Sequence, residues 1–308
     1  MKLSKRLAKG FKPAAVRVMG RKTLEPLMPS PLPTLFDTGL LAQRRSRAAH
    51  GFAQADFLHR EIAAEIQERL EEVNKSFQSR AIIGWQAGLW GEIMGGTGLA
   101  VPDADVLGVE TGAHDLVIHA LGLHWANDPV GQLVQCRRAL RPDGLMIAAL
   151  FGGQTLHELR VALAEAEIEL SGGLSPRIAP MGELRDLGAL LQRAGFALPV
   201  ADLRRFDVTY KTPMHLMAEL RAMGETNVMA ARSRKPMRRA LLARACEIYA
   251  QHFPAKGGGV RATFEVAFLT GWAPHDSQQK PLRPGSAAAS LADALGTVEQ
   301  SAGEKPGK

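Results

Sequence analysis

The stretch from His114 to Gly153, HDLVIHALGLHWANDPVGQLVQCRRALRPDGLMIAALFGG, decides the fold. Asp115–His119 is apolar after its first residue, without alternation, as a parallel strand covered on both faces requires. A helical pattern from about Pro129 to Leu140 follows, and Arg141-Pro142-Asp143-Gly144 stops it and turns the chain. Leu145–Phe151 is the next buried strand. Strand, helix and strand make a β-α-β unit, whose crossover is almost always right-handed and parallel.

Outward from this unit the pattern continues on both sides. Leu58, Ile62, Ile66, Leu70 and Val73 recur at three- and four-residue steps, which predicts a helix starting near Asp56. A short strand is predicted around Ala81–Ile83 and a helical piece near Trp90–Met94, before the glycines at 95, 96 and 98 interrupt the pattern. Downstream, a long helix runs to about Leu170 and another over roughly 182–193. Short strands are expected near 197–200 and 206–210, then helices over about 213–223 and 236–252, and a last strand Ala262–Thr270. The fold class is α/β, with a helical insertion at about 212–255 before the final strand. Three parts are expected: a basic, Pro-rich arm (1–34), a folded body (35–275) and a flexible tail (276–308).

The net charge of +7 is local. Residues 1–24 carry eight Lys or Arg and no acid, which leaves 30 basic against 31 acidic residues elsewhere. The body is about neutral, which argues against nucleic-acid binding by the core. The arm, with Leu3, Leu7 and Phe11 on one helical face, reads as a solvated extension, an organelle-targeting segment or a peripheral membrane contact. No apolar run approaches the roughly 20 residues that span a bilayer. The only cysteines, Cys136 and Cys246, form no CxxC pair and suit a reducing compartment.

In open α/β sheets, ligands sit beyond the carboxyl ends of the strands. His119 to Asp128 occupies that place, and His124, Trp125 and Asn127 are the candidates for catalysis: polar groups beside one stacking wall. Asn127 and Asp128 equally suit capping of the helix at Pro129. Two weaker candidates are Gly152-Gly153-Gln154-Thr155, whose amides could face a ligand or make a tight turn, and Arg232, Arg234, Lys235, Arg238 and Arg239, a surface for an acidic partner or a solvated face. No metal site is expected: His119 and His124 have no carboxylate or thiol at ligand spacing beside them. GxSxG and HExxH are absent, which disfavours triad or zinc hydrolysis.

At HDLVIHALGLHWANDPVGQL and RRALRPDGL the chain resembles the class I S-adenosylmethionine (SAM) methyltransferase superfamily. Through FGGQTLHELR, GGLSPRIAP, LRAMGETN, ATFEVAFLTGW and SQQKPLRPGSA it resembles one subfamily, the mitochondrial complex I assembly factor that is a methyltransferase-like arginine hydroxylase, with its bacterial relatives. Biotin-pathway malonyl-carrier-protein methyltransferases are more distant. The resemblance implies a Rossmann-like sheet, mostly parallel with an antiparallel final strand, SAM as cofactor, and a protein substrate of respiratory complex I. It implies transferase or hydroxylase chemistry in a bacterial cytoplasm, with a mitochondrial matrix as the alternative.

Carried over residue by residue, the resemblance puts Gly84 and Gly88 in the loop around the methionine part of SAM. Asp103 becomes the adenine contact, with Asp105 and His119 beside it. Ile83 stands where the family has an acid, and the second strand with its ribose-holding acid falls in a segment expected to be deleted between about 93 and 100. Lost glycines keep the backbone away from a cofactor, and a lost charge-assisted hydrogen bond costs on the order of 1.5–3 kcal/mol. A non-catalytic assembly chaperone with a degenerate SAM site is therefore the rival expectation.

Overall fold

The computed structural model describes residues 34–96, 98–279 and 296–297. The basic arm before 34 and almost all of the tail after 279 lie outside the described residues, with the readings attached to them. Helices α1 (Thr38–Ala48) and α2 (Phe57–Glu72) precede strand β1 (Arg80–Ile83); α3 (Ala87–Ile93), β2 (Leu99–Val101), β3 (His114–Ala120), α4 (Pro129–Ala139) and β4 (Leu140–Gly152) follow. Next come α5 (His157–Ser171), α6 (Leu184–Arg193), β5 (Ala197–Tyr210), α7 (Pro213–Ala222), α8 (Arg239–His252) and β6 (Val260–Trp272).

The six strands form one sheet in the order β2-β1-β3-β4-β6-β5. β1 to β4 are parallel, with Ile82 opposite Ile118 and Ile118 opposite Ile147. β6 enters antiparallel between β4 and β5. This is the expected Rossmann-like sheet with an antiparallel final strand. Its central strands explain their unbroken apolar runs. Leu116, Ile118 and Ile147 pack toward α2, α3 and α5, while Val117, Met146 and Ala148 pack toward α4 and α6. Leu216, Leu220, Ile248 and Tyr249 of α7 and α8 join the first of these cores.

Four features differ from the expectations drawn from sequence. The second strand, expected to be lost between about 93 and 100, is present in short form as β2 directly beside β1, so the chain leading to Asp103 is a sheet neighbour of β1. The two short strands near 197–200 and 206–210 are one strand, β5, because register shifts between Ala197 and Val200 without ending the pairing. β4 starts at Leu140 and absorbs the expected turn, with Asp143 at φ 62°. Helix α1 was not anticipated by the hydrophobic pattern, and its buried face is Leu41, Arg45 and Ala48.

Candidate functional site

The carboxyl ends of β1, β2 and β3 open onto a cavity of about 550 Å³, closed on one side by α1. That size lies within the roughly 300–1,000 Å³ of ordinary small-molecule sites. Gly84 ends β1 here, and a Cβ on it would stand 2.6 Å from the Ala120 carbonyl oxygen, so only glycine lets β1 leave the sheet this close to β3. Gly122 is constrained alike: a Cβ there would collide with the Asp103 carboxylate. Trp85 and Trp125 supply aromatic wall.

Arg45 reaches into this cavity from α1. Its Nη1 donates to both carboxylate oxygens of Asp103, at 3.0 and 2.8 Å. The two side chains are 6% and 9% exposed, so the pair is a buried one. The guanidinium also lies over the Trp85 ring, 5.7 Å from its centroid. Arg45 Nε is buried without a hydrogen-bond partner. A charged donor left unsatisfied beside an open cavity suits an anionic group of a ligand.

Of the residues singled out for cofactor binding, Gly84, Asp103 and Asp105 line the cavity. Gly88 is the second residue of α3 and is not part of the wall. His119 is fully buried beneath it, with Nε2 3.0 Å from Gln132 Oε1; Gln132 itself lines the cavity. Burial holds the His119 imidazole below its ordinary pKa.

Of the residues singled out for catalysis, His124 and Trp125 converge on Glu225. Trp125 Nε1 donates to Glu225 Oε2 at 2.9 Å, and His124 Nε2 lies 3.1 Å from the same oxygen. Burial opposes ionisation of Glu225, but His124, Arg45 and His59 outweigh it and hold the carboxyl below its usual range. Asn127 points away from this cluster. Its Oδ1 accepts from Leu35 and Phe36 N–H at 2.9 and 2.8 Å, and its Nδ2 donates to the Phe36 carbonyl. It fastens the segment that leads into α1. Asn127→Ala is expected to cost about 1–3 kcal/mol by orphaning these groups, read as a lower urea midpoint; an unchanged midpoint would show the latch to be idle.

Of the weaker candidates, the Gly152–Thr155 segment is occupied, and of the five basic residues Arg232 is paired while Arg234, Lys235, Arg238 and Arg239 are exposed. Gln154 N–H donates to Glu265, and Thr155 Oγ1 donates to the Gly152 and Glu265 carbonyls, so Gly152–Thr155 makes a tight turn. Arg232 bonds Asp37 and the Met229 carbonyl. Among the described residues no group of three His, Cys, Asp or Glu is placed to hold a metal ion. Arg45, Trp85 and Glu225 were not singled out from sequence. Only the Leu41, Arg45, Ala48 spacing, one face of a helix, carried a signal for the first of them.

No family model matches the chain. Arginine-hydroxylase NDUFAF5 of Rattus norvegicus is 34% identical over 286 residues, covering 84% of this chain and 83% of the relative. The chain belongs to the NDUFAF5 family. The Danio rerio NDUFAF5 is 41% identical over 191 residues, 62% of this chain. The match spans only 59% of that relative's length and 55% of the Mus musculus NDUFAF5. Outside the NDUFAF5 name, a malonyl-[acyl-carrier protein] O-methyltransferase of Laribacter hongkongensis is 34% identical over 187 residues, covering 61% of this chain and 60% of that protein. Among solved structures, a putative methyltransferase from Bacillus halodurans is 10% identical with a TM-score of 0.44, covering 69% of this chain and 99% of that one.

Proposed function

We propose that the cavity at the ends of β1, β2 and β3 holds SAM, and that the chain acts on an arginine of a protein substrate during assembly of respiratory complex I. The observation that carries the cofactor reading is Arg45 Nε, buried and unpartnered at a cavity of nucleoside size. Arg45 would take the carboxylate of the methionine part, Trp85 and Trp125 would wall the adenosine from water, and Asp105 stands exposed at the rim for hydroxyl or amino groups. Bound SAM supplies a sulfonium methyl group. The relatives' name supports arginine hydroxylation as the reaction, in which dioxygen with an external reductant would supply the oxygen atom that SAM cannot, with methyl transfer as the alternative supported by the malonyl-carrier relative. No described helix is long and apolar enough to cross a membrane. We assign the chain to a bacterial cytoplasm; the mitochondrial relatives support the matrix alternative.

Calorimetric titration with S-adenosylhomocysteine tests the cofactor reading. Ala104 is exposed and lines the cavity, so Ala104→Trp fills it without touching the core. Micromolar binding by the parent chain, weakened about a hundredfold or more in the variant, is expected (about 2.7 kcal/mol). One observation favours the non-catalytic chaperone instead: the Arg45–Asp103 pair already engages the residue that the resemblance gives to adenine. Absence of heat at millimolar ligand would decide for it.

A further inference from the structure

A second cavity, of about 200 Å³, touches the first at a single residue, Trp125, which lines both. It falls below the roughly 300–1,000 Å³ of drug-sized ligand sites and matches the scale of one long side chain. Its wall is apolar over Phe151, Leu159, Leu220 and Phe264, and polar at Glu225 and Thr226. The two bonds to the Glu225 carboxylate, from Trp125 Nε1 and at His124 Nε2, both fall on Oε2. That fixes the carboxylate plane and leaves Oε1 to accept from a ligand. Thr226 Oγ1 is buried with no partner. Of the two arginines in the wall, Arg177 is spent on Glu167 through bonds of 3.1 and 2.7 Å, and Arg221 is exposed, with its charge open to solvent.

We propose that this cavity is the acceptor subsite, taking an aliphatic side chain that ends in a guanidinium, with Glu225 as its counter-ion and Thr226 as a second anchor. The proposal rests on the arginine reading above and assigns the residues that would carry it. Each part of the cavity answers a part of such a side chain. The apolar wall covers the methylene stem, and the carboxylate with its free oxygen receives N–H donors in a charge-assisted bond. A guanidinium is preferred over an ammonium because it is planar, weakly hydrated and stacks on aromatic faces such as Trp125 and Phe151. Trp125 then separates the acceptor head from the cofactor cavity and contacts both.

Trp125 Nε1–H supplies a local readout, since it donates to Glu225. The test is titration of the uniformly ¹⁵N-labelled full chain with Nα-acetyl-arginine methylamide and its neutral citrulline counterpart, with S-adenosylhomocysteine calorimetry on the same samples. The arginine probe is expected to bind and shift the Trp125 indole resonance, the citrulline probe to bind at least tenfold more weakly, and Glu225→Gln to erase that preference. Glutamine keeps an oxygen for Trp125 and His124; should this variant fail to fold, Met217→Trp, which fills the cavity from α7, is expected to abolish probe binding while S-adenosylhomocysteine binding persists. Equal binding of both probes, or unchanged arginine binding in Glu225→Gln, would overturn the proposal. So would cofactor-analogue binding with no probe binding at all. Probe binding with no cofactor-analogue binding would uphold this subsite and remove the SAM reading instead.

Discussion

Asp103→Ala is expected to lower the unfolding free energy by about 3–5 kcal/mol, the cost of leaving a buried charge without its partner. The charge left behind is Arg45, 5% exposed, whose hydrogen bonds both go to Asp103 and whose Nε is already unsatisfied. Removing Asp103 therefore removes both hydrogen bonds of a guanidinium that is almost wholly buried. The double variant Arg45→Met with Asp103→Ala takes the charge away altogether and is expected to recover most of the loss, because apolar replacements of buried ion pairs are often neutral or better. Urea unfolding of the parent, single and double variants measures both steps. A single variant within about 1 kcal/mol of the parent, the range of an exposed pair, would show that Arg45 finds water or another acceptor and that α1 is not pinned over the cavity. The consequence for ligand binding is direct: Asp103 is the tie that holds the α1 wall, so a ligand that uses Asp103 must do so with Arg45 in place.

The central fold was legible because β3 and the body of β4 are buried on both faces, and such burial writes itself into the sequence as unbroken apolar runs on either side of a helix with a capped start and a Pro-Gly turn after it. Asp128 Oδ1 accepts from Gly131 N–H at 2.8 Å, as the capping reading of Asp128-Pro129 anticipates. The edges were less legible. β2 has three residues and only Val101 is buried, so no periodicity could announce it. β5 lies at the sheet edge, and Leu198 at φ 48° beside Pro199 mimics a strand end. α1 hides behind its charged and amide side chains, because the residue that plugs its buried face is itself an arginine. The site divided in the same way. His124 and Trp125 were visible as a polar cluster at a strand end, but their common partner Glu225 lies 101 and 100 residues away, a separation that no local pattern bridges. Asn127 shares their loop and bonds Leu35 and Phe36 instead, since a loop of this length presents neighbouring side chains to different surroundings.

Acid is expected to destabilise the chain through His59, by on the order of 3 kcal/mol between about pH 6.5 and pH 4. His59 is 4% exposed, under α3, where Trp90 Nε1 donates to its Nδ1 at 3.1 Å. Nδ1 is thus the acceptor and Nε2 carries the single proton, buried without a partner. A second proton would have to enter a site that offers it no acceptor. Burial pushes the imidazole down to about 4, with Arg45 and His124 adding repulsion and Glu225 and Asp56 opposing it. The unfolded chain protonates His59 near 6.5 while the native one resists until about 4. Its contribution is therefore complete above pH 6.5 and is lost progressively as pH falls to the native value. His114 and His119, also held low by burial, act in the same direction. His59→Gln separates the shares: its amide oxygen can still accept from Trp90, but nothing titrates. Urea midpoints measured from about pH 4 to 7 should fall less steeply in this variant than in the parent. Superimposable pH profiles would mean that water reaches His59 in the native fold, and that the packing between α2 and α3 is looser than the Trp90 contact implies.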